Sequence, residues 1–161
     1  MDTPSAPAPS LLDEVKLQAK VLVPVLRALR AELGRERAER LVVGALGEWS
    51  RELHRRIGED KGGTARERWD AIWTDLRPRI GGAVDREMLR DDAEAREYNV
   101  TRCAYAEFFK ALGEPELGAV LLCDIDFHIA AVGGDAVRLT RTQTIMKGAP
   151  YCDFRYRFGP S

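Results

Sequence analysis

Residues 151–158, Y-C-D-F-R-Y-R-F, decide the reading of the fold. Cys152, Phe154, Tyr156 and Phe158 fall on one side of an extended chain, and Tyr151, Asp153, Arg155 and Arg157 on the other. This is a strand with an aromatic inner face and a polar outer one. The inner face begins with a cysteine where a ring would fit the pattern. A thiol there can be packing filler, a metal ligand or a nucleophile.

Upstream, residues 137–145 form a threonine-rich stretch that reads as a partner strand, turned at Lys147, Gly148 and Pro150. Two earlier strands are expected near residues 84–89 and 97–102, joined across the charged segment 91–94. Between the two hairpins, Tyr105, Phe108, Phe109 and Leu112 mark a short helix closed by Gly113. Pro115 suits the first position of the next helix, which runs toward Cys123. A further helical turn is expected over residues 125–131.

The N-terminal half is helical. Ser10 caps a helix in which Val15, Ala19, Leu22, Leu26, Leu29 and Leu33 form one apolar stripe, ended by Gly34. Pro24 lies inside the stripe without changing its phase, which predicts a kink within one helix. A second helix is expected near residues 36–57, with Val42, Leu46, Trp49, Leu53 and Ile57 inward and His54 on the surface. Thr64 and Glu67 form a capping box for a third, with Trp69, Ile72, Trp73 and Leu76 inward and Pro78 at its end. The sum is an α+β fold: three N-terminal helices packed on a small antiparallel sheet of about four strands with short inserted helices. Residues 1–10 read as a disordered Pro/Ala/Ser tail and 11–161 as a single domain.

The 161 residues suit one domain with one sizeable core. Lys plus Arg is 25 against 26 Asp plus Glu, which gives no long-range field for nucleic acid or an anionic membrane. No apolar run is long enough to span a bilayer, and the N-terminus lacks the features of a secretory signal. A cytoplasmic location is the default, and assembly into a homo-oligomer is left open. Cys103, Cys123 and Cys152 are odd in number and widely spaced, unlike a disulfide framework or paired metal motif. A zinc site drawing on all three lacks the usual short-spaced pairs, so no metal is expected. No phosphate loop, serine-hydrolase elbow or zinc-protease motif occurs, and no cofactor is implied.

If residues 137–145 are one strand, Arg141 and Gln143 share a face with Leu139. A buried Arg needs a partner, which either a ligand carboxylate or an internal Asp or Glu can supply. Cys123 precedes a helical turn whose N–H groups favour a thiolate, while Asp124 and Asp126 oppose it. A nearby cation or histidine would be needed, with His128 and Arg102 as candidates.

Three blocks, N-V-T-R-C-A-Y-A-E-F-F at 99–109, G-E-P-E-L-G-A-V-L-L-C-D-I-D at 113–126 and R-T-Q-T-I-M-K-G-A-P-Y-C-D-F-R at 141–155, together resemble the L-2-amino-thiazoline-4-carboxylic acid hydrolase family. The stretch V-L-V-P-V-L-R-A-L-R-A-E-L-G resembles that family's first helix. The resemblance implies a hydrolase that opens a cyclic isothiourea, converting L-2-amino-thiazoline-4-carboxylate to N-carbamoyl-L-cysteine. It marks Asn99, Cys103, Cys123, Asp126, Arg141, Gln143, Cys152 and Asp153 as positions in matching motifs. The chemistry calls for a nucleophile, Cys123 or Cys152, or else water activated by Asp126 or Asp153, with Asp126 ranked first. Asn99, Cys103, Gln143, Asp153 and His128 are expected to help bind substrate, and Arg141 to hold its carboxylate. The rival reading is a non-catalytic domain that binds a small carboxylate in the same pocket.

Overall fold

The structure is a computed structural model that describes residues 9–59, 63–131 and 134–159; the side chains of residues 53–59, 75 and 134 are outside that description. The expected tail, and the expected placements of Leu53, His54 and Ile57, fall largely or wholly outside it.

Helix α1 spans Leu11–Leu33, with the Ser10 hydroxyl accepting the Asp13 N–H and Gly34 at φ +76° ending it. Pro24 is accommodated within this single helix. Helix α2, Arg35–Glu59, follows as the second arm of a hairpin. Its stripe is less inward than expected: Trp49 is 61% exposed, while Ser50 is buried. Helix α3, Ala65–Ile80, opens with the complete Thr64/Glu67 capping box. It runs through Pro78, contrary to the expected stop, and ends at Gly81 with φ +52°. A left-handed glycine breaks the helix where proline in the last turn removes only one backbone donor.

Strands β1 (Val84–Asp91) and β2 (Ala95–Cys103) form the first hairpin. Asp92 closes its turn by accepting the Glu94 and Ala95 N–H groups. Helix α4, Ala104–Ala111, follows directly. Helix α5, Pro115–Gly118, continues into a π-turn over Ala119–Cys123, and helix α6 spans Ile125–Ala131. Strand β3 covers Val137–Thr140, and β4 covers Cys152–Phe158.

The predicted strand over 137–145 therefore stops at Thr140, which corrects the placement of Arg141 and Gln143 on it. The cause is Asp153 on β4. Its carboxylate accepts the Thr142 and Gln143 N–H groups at 2.9 Å each and the Thr142 hydroxyl at 2.7 Å. A side chain thus takes backbone donors that a ladder would have used.

The sheet is antiparallel with order β1-β2-β4-β3. Its inner face carries Tyr98, Val100, Cys152, Phe154, Tyr156 and Phe158, all buried. Trp69 of α3 covers it, with ring centroids 4.6 Å from Tyr156 and 5.3 Å from Phe158. Each such ring removed from water contributes on the order of 2–3 kcal/mol. A second core joins α1 to α4–α6 through Leu26, Ile72, Phe109 and Leu117. The two cores meet beside Trp73, Val84, Cys103 and Ile145, which pack against both.

Candidate functional site

A cavity of about 310 Å³ lies between the helical core and the sheet core. Most of its wall is apolar, from α1 (Val15, Ala19), α3 (Trp73, Leu76), α4 (Phe109) and the inner sheet face (Val100, Phe154). All three cysteines line it, as do Asp126 and Arg141. Residues far apart in sequence converge because the loop after β3, the start of α4, the π-turn and the start of β4 end at the same place. A volume of this size takes a small organic ligand.

The polar centre is a buried ion pair. Arg141 donates to Asp126 Oδ2 at 2.5 Å and to the Cys123 carbonyl at 3.0 Å. Its guanidinium carbon lies 4.9 Å from the Phe127 ring centroid and 5.3 Å from that of Phe154, so the group is held between two aromatic faces. The Arg141 side chain is only 4% exposed. That of Asp126 is 24% exposed, and the residue lines the cavity. Burial pushes the Asp126 carboxyl up to about 6, with Arg141 pulling it down. It is therefore a carboxylate near neutral pH that accepts a proton readily.

The thiols differ in their surroundings. Burial raises all three. Cys123 is raised the most, by burial first and Asp126 next, with Arg141 opposing. Cys152 Sγ accepts the Ile145 N–H at 3.2 Å, a hydrogen bond that favours its thiolate. Cys103 occupies the N-cap position of α4. No N–H closes a cap hydrogen bond there, yet the Ala106 and Tyr105 N–H groups partly offset burial. Cys123 does stand just before α6, as expected, but the N–H groups that favour a thiolate act on Cys103.

The remaining nominated residues do not line this cavity. Asn99 and Asp153 face each other on the outer sheet face, where Asn99 accepts from Arg155 at 2.9 Å. Gln143 donates to the Tyr151 carbonyl at 3.0 Å. His128 on α6 packs against Gly47 of α2, where its ring leaves no room for a Cβ. Arg102 is paired with Asp85 at 2.9 Å. Among the described residues, no three His, Cys, Asp or Glu side chains are arranged to hold a metal ion.

Sequence reasoning misses Arg86, Arg79, Glu14 and Tyr105, all on the cavity wall. Arg79 and Glu14 pair across α3 and α1 at 2.6 Å. The Tyr105 hydroxyl is buried with no partner among the described residues, and burial pushes it up to about 12, so it stays protonated. Arg86 had a readable signal, since a strand places one residue in two inward. Finding it needed the register that sets Arg86 opposite Val100.

No curated protein matches the chain. Among solved structures, the phenol-responsive sensory domain of the transcription activator PoxR, solved with phenol, is a distant match at 15% identity. The match covers 85% of this chain and 72% of that one, with a TM-score of 0.48. The sequence model of the L-2-amino-thiazoline-4-carboxylic acid hydrolase family matches residues 14–156, nearly the whole of the described fold, and the chain belongs to that family.

Proposed function

We propose that the protein is a hydrolase that opens a small cyclic isothiourea, such as L-2-amino-thiazoline-4-carboxylate, to the carbamoyl product N-carbamoyl-L-cysteine. One observation carries this reading beyond the family match: the Asp126–Arg141 pair shares a cavity wall with three thiols. The ring carbon between sulfur and nitrogen is an amidine-like electrophile. Asp126 pairs with the cationic nitrogens and moves protons, and Arg141 holds Asp126 in place.

Cys152 is the nucleophile in this reading, because the Ile145 N–H stabilises its thiolate while Cys123 is held most firmly as a thiol. Asp126 takes the Cys152 proton as the sulfur bonds to the ring carbon. The bond from that carbon to the ring sulfur breaks, and the ring sulfur leaves with the proton. Water then adds to the amidino carbon, passing its proton through Asp126 to the departing Cys152 sulfur. One water is consumed and nothing is oxidised.

Burial of all three thiols favours a second route, in which Asp126 activates water directly. Turnover of L-2-amino-thiazoline-4-carboxylate by Cys152→Ala, Cys123→Ala and Asp126→Asn separates the two. The covalent route expects a loss of at least about a thousandfold in Cys152→Ala with the melting curve retained. Activity kept in both cysteine variants but lost in Asp126→Asn selects the water route. A wild-type protein that binds the compound and does not turn it over overturns the hydrolase and leaves a carboxylate-binding domain.

A further inference from the structure

Among the described residues, five charged side chains line the cavity: Glu14, Arg79, Arg86, Asp126 and Arg141. Four of them cancel in pairs. Glu14 meets Arg79 at 2.6 Å near the α1–α3 side, and Asp126 meets Arg141 at 2.5 Å near the thiols. Arg86 is left over. Its position opposite Val100 turns it to the inner face of the sheet, and its guanidinium carbon lies 5.7 Å from the Tyr98 ring centroid. No carboxylate among the described residues pairs with it. The wall therefore carries one guanidinium without an ion-pair partner among the described residues; it is exposed to solvent and acts on the Asp126 carboxyl from a distance.

A second observation lies on the same wall. Tyr105 is 6% exposed, and its hydroxyl has no hydrogen-bond partner among the described residues. A buried hydroxyl without a partner is costly, and a ligand oxygen removes that cost. Arg86 is one of the charges that act on this phenol. Arg141, in contrast, already spends donors on Asp126 and the Cys123 carbonyl and is stacked between two rings.

We propose that Arg86, assisted by the Tyr105 hydroxyl, receives the carboxylate of the ligand. This rests on the reading of the cavity as the substrate site, and it moves the carboxylate contact from Arg141 to β1. Arg86 then orients the ring so that its amidine end reaches Asp126. The planar guanidinium holds a carboxylate through two parallel hydrogen bonds, which fixes orientation as well as position. Specificity for the acid over the same ring without a carboxylate follows from this one side chain.

The test is a calorimetric titration of wild type, Arg86→Gln, Arg86→Lys and Tyr105→Phe with two probes. One is L-2-amino-thiazoline-4-carboxylate. The other is 2-amino-2-thiazoline, the same ring without the acid. Arg86→Gln is expected to weaken the acid by roughly 10- to 100-fold, raise its KM in step and lower kcat through lost orientation, leaving the affinity for the plain ring within about twofold. Arg86→Lys should recover part of the loss, and Tyr105→Phe should weaken the acid by a few-fold. Equal weakening of both probes, or an unchanged affinity for the acid, overturns the assignment. Wild-type binding without turnover sinks the hydrolase reading alone and leaves the titration to decide Arg86. Wild type that binds neither probe sinks both.

Discussion

The Arg141 guanidinium and the Asp126 carboxylate meet at 2.5 Å on a cavity wall, and among the described residues neither has another charged partner as close. The two charges neutralise each other, and each group would be expensive to bury alone.

Asp126 should impose a pH dependence with two signs. Its carboxyl is raised from 3.8 to about 6 in the folded protein, so the folded state holds more protons than the unfolded one between those values. Its contribution to stability is fully present below about pH 4 and is lost as the pH rises through about 6, a change of about 3 kcal/mol at most. Activity runs the other way, rising through about pH 6 as the carboxylate forms. Urea unfolding and kcat/KM measured from pH 4.5 to 8 should show both limbs, and Asp126→Asn should remove both.

Removing Arg141 should strand a buried carboxylate. Arg141→Ala is expected to lower stability by about 3–5 kcal/mol at pH 8. At pH 5 the loss should shrink, because Asp126 can then take up a proton. A loss that is the same at both pH values would mean that packing between Phe127 and Phe154, and not charge, is what Arg141 supplies.

Asp153 acts at a distance from the cavity. Asp153→Ala frees two backbone N–H groups and the Thr142 hydroxyl from their acceptor and loosens the loop that begins at Arg141. Stability should fall by about 2 kcal/mol and kcat/KM by about tenfold. Asp153→Asn, which keeps one oxygen acceptor, should fall between the variant and wild type in both measurements.

Gly118 marks a contact with no room for a side chain. A Cβ there would stand 2.5 Å from Phe109 Cγ and 2.8 Å from Met146 Sδ. Gly118→Ala should cost about 1–3 kcal/mol in urea unfolding despite its better helix propensity. A companion change at Phe109 to a smaller residue should restore part of the loss.

The order of strands and helices was legible because local patterns and long-range packing agree. The alternation of Cys152, Phe154, Tyr156 and Phe158 matches one buried sheet face, and the Thr64/Glu67 box and Pro115 start helices where expected. Cys103, Cys123, Cys152, Asp126 and Arg141, which come from three separate motif blocks, line one cavity. Residues 141–144 were misread because their hydrogen bonds go to a side chain about ten positions later, which no local pattern displays. Asn99 and Asp153 sit in the same blocks as the cavity residues, but strand alternation turns them to the opposite face. Arg86 escaped notice for the converse reason. Its strand is exposed from Asp85 to Asp91, Arg86 included, so a charge on the inner face of the sheet looks like ordinary surface.

Strand β4 lies between β2 and β3 although it follows both in sequence. During synthesis, the aromatic side of β2 has no neighbour on that edge until the ribosome has passed Phe158. The β1–β2 hairpin and β3 share no hydrogen bonds without β4, so the strand that carries Cys152 is also the one that joins the two halves of the sheet. A chain cut short before Cys152 loses more than one thiol: β2 and β3 are left without the strand that joins them.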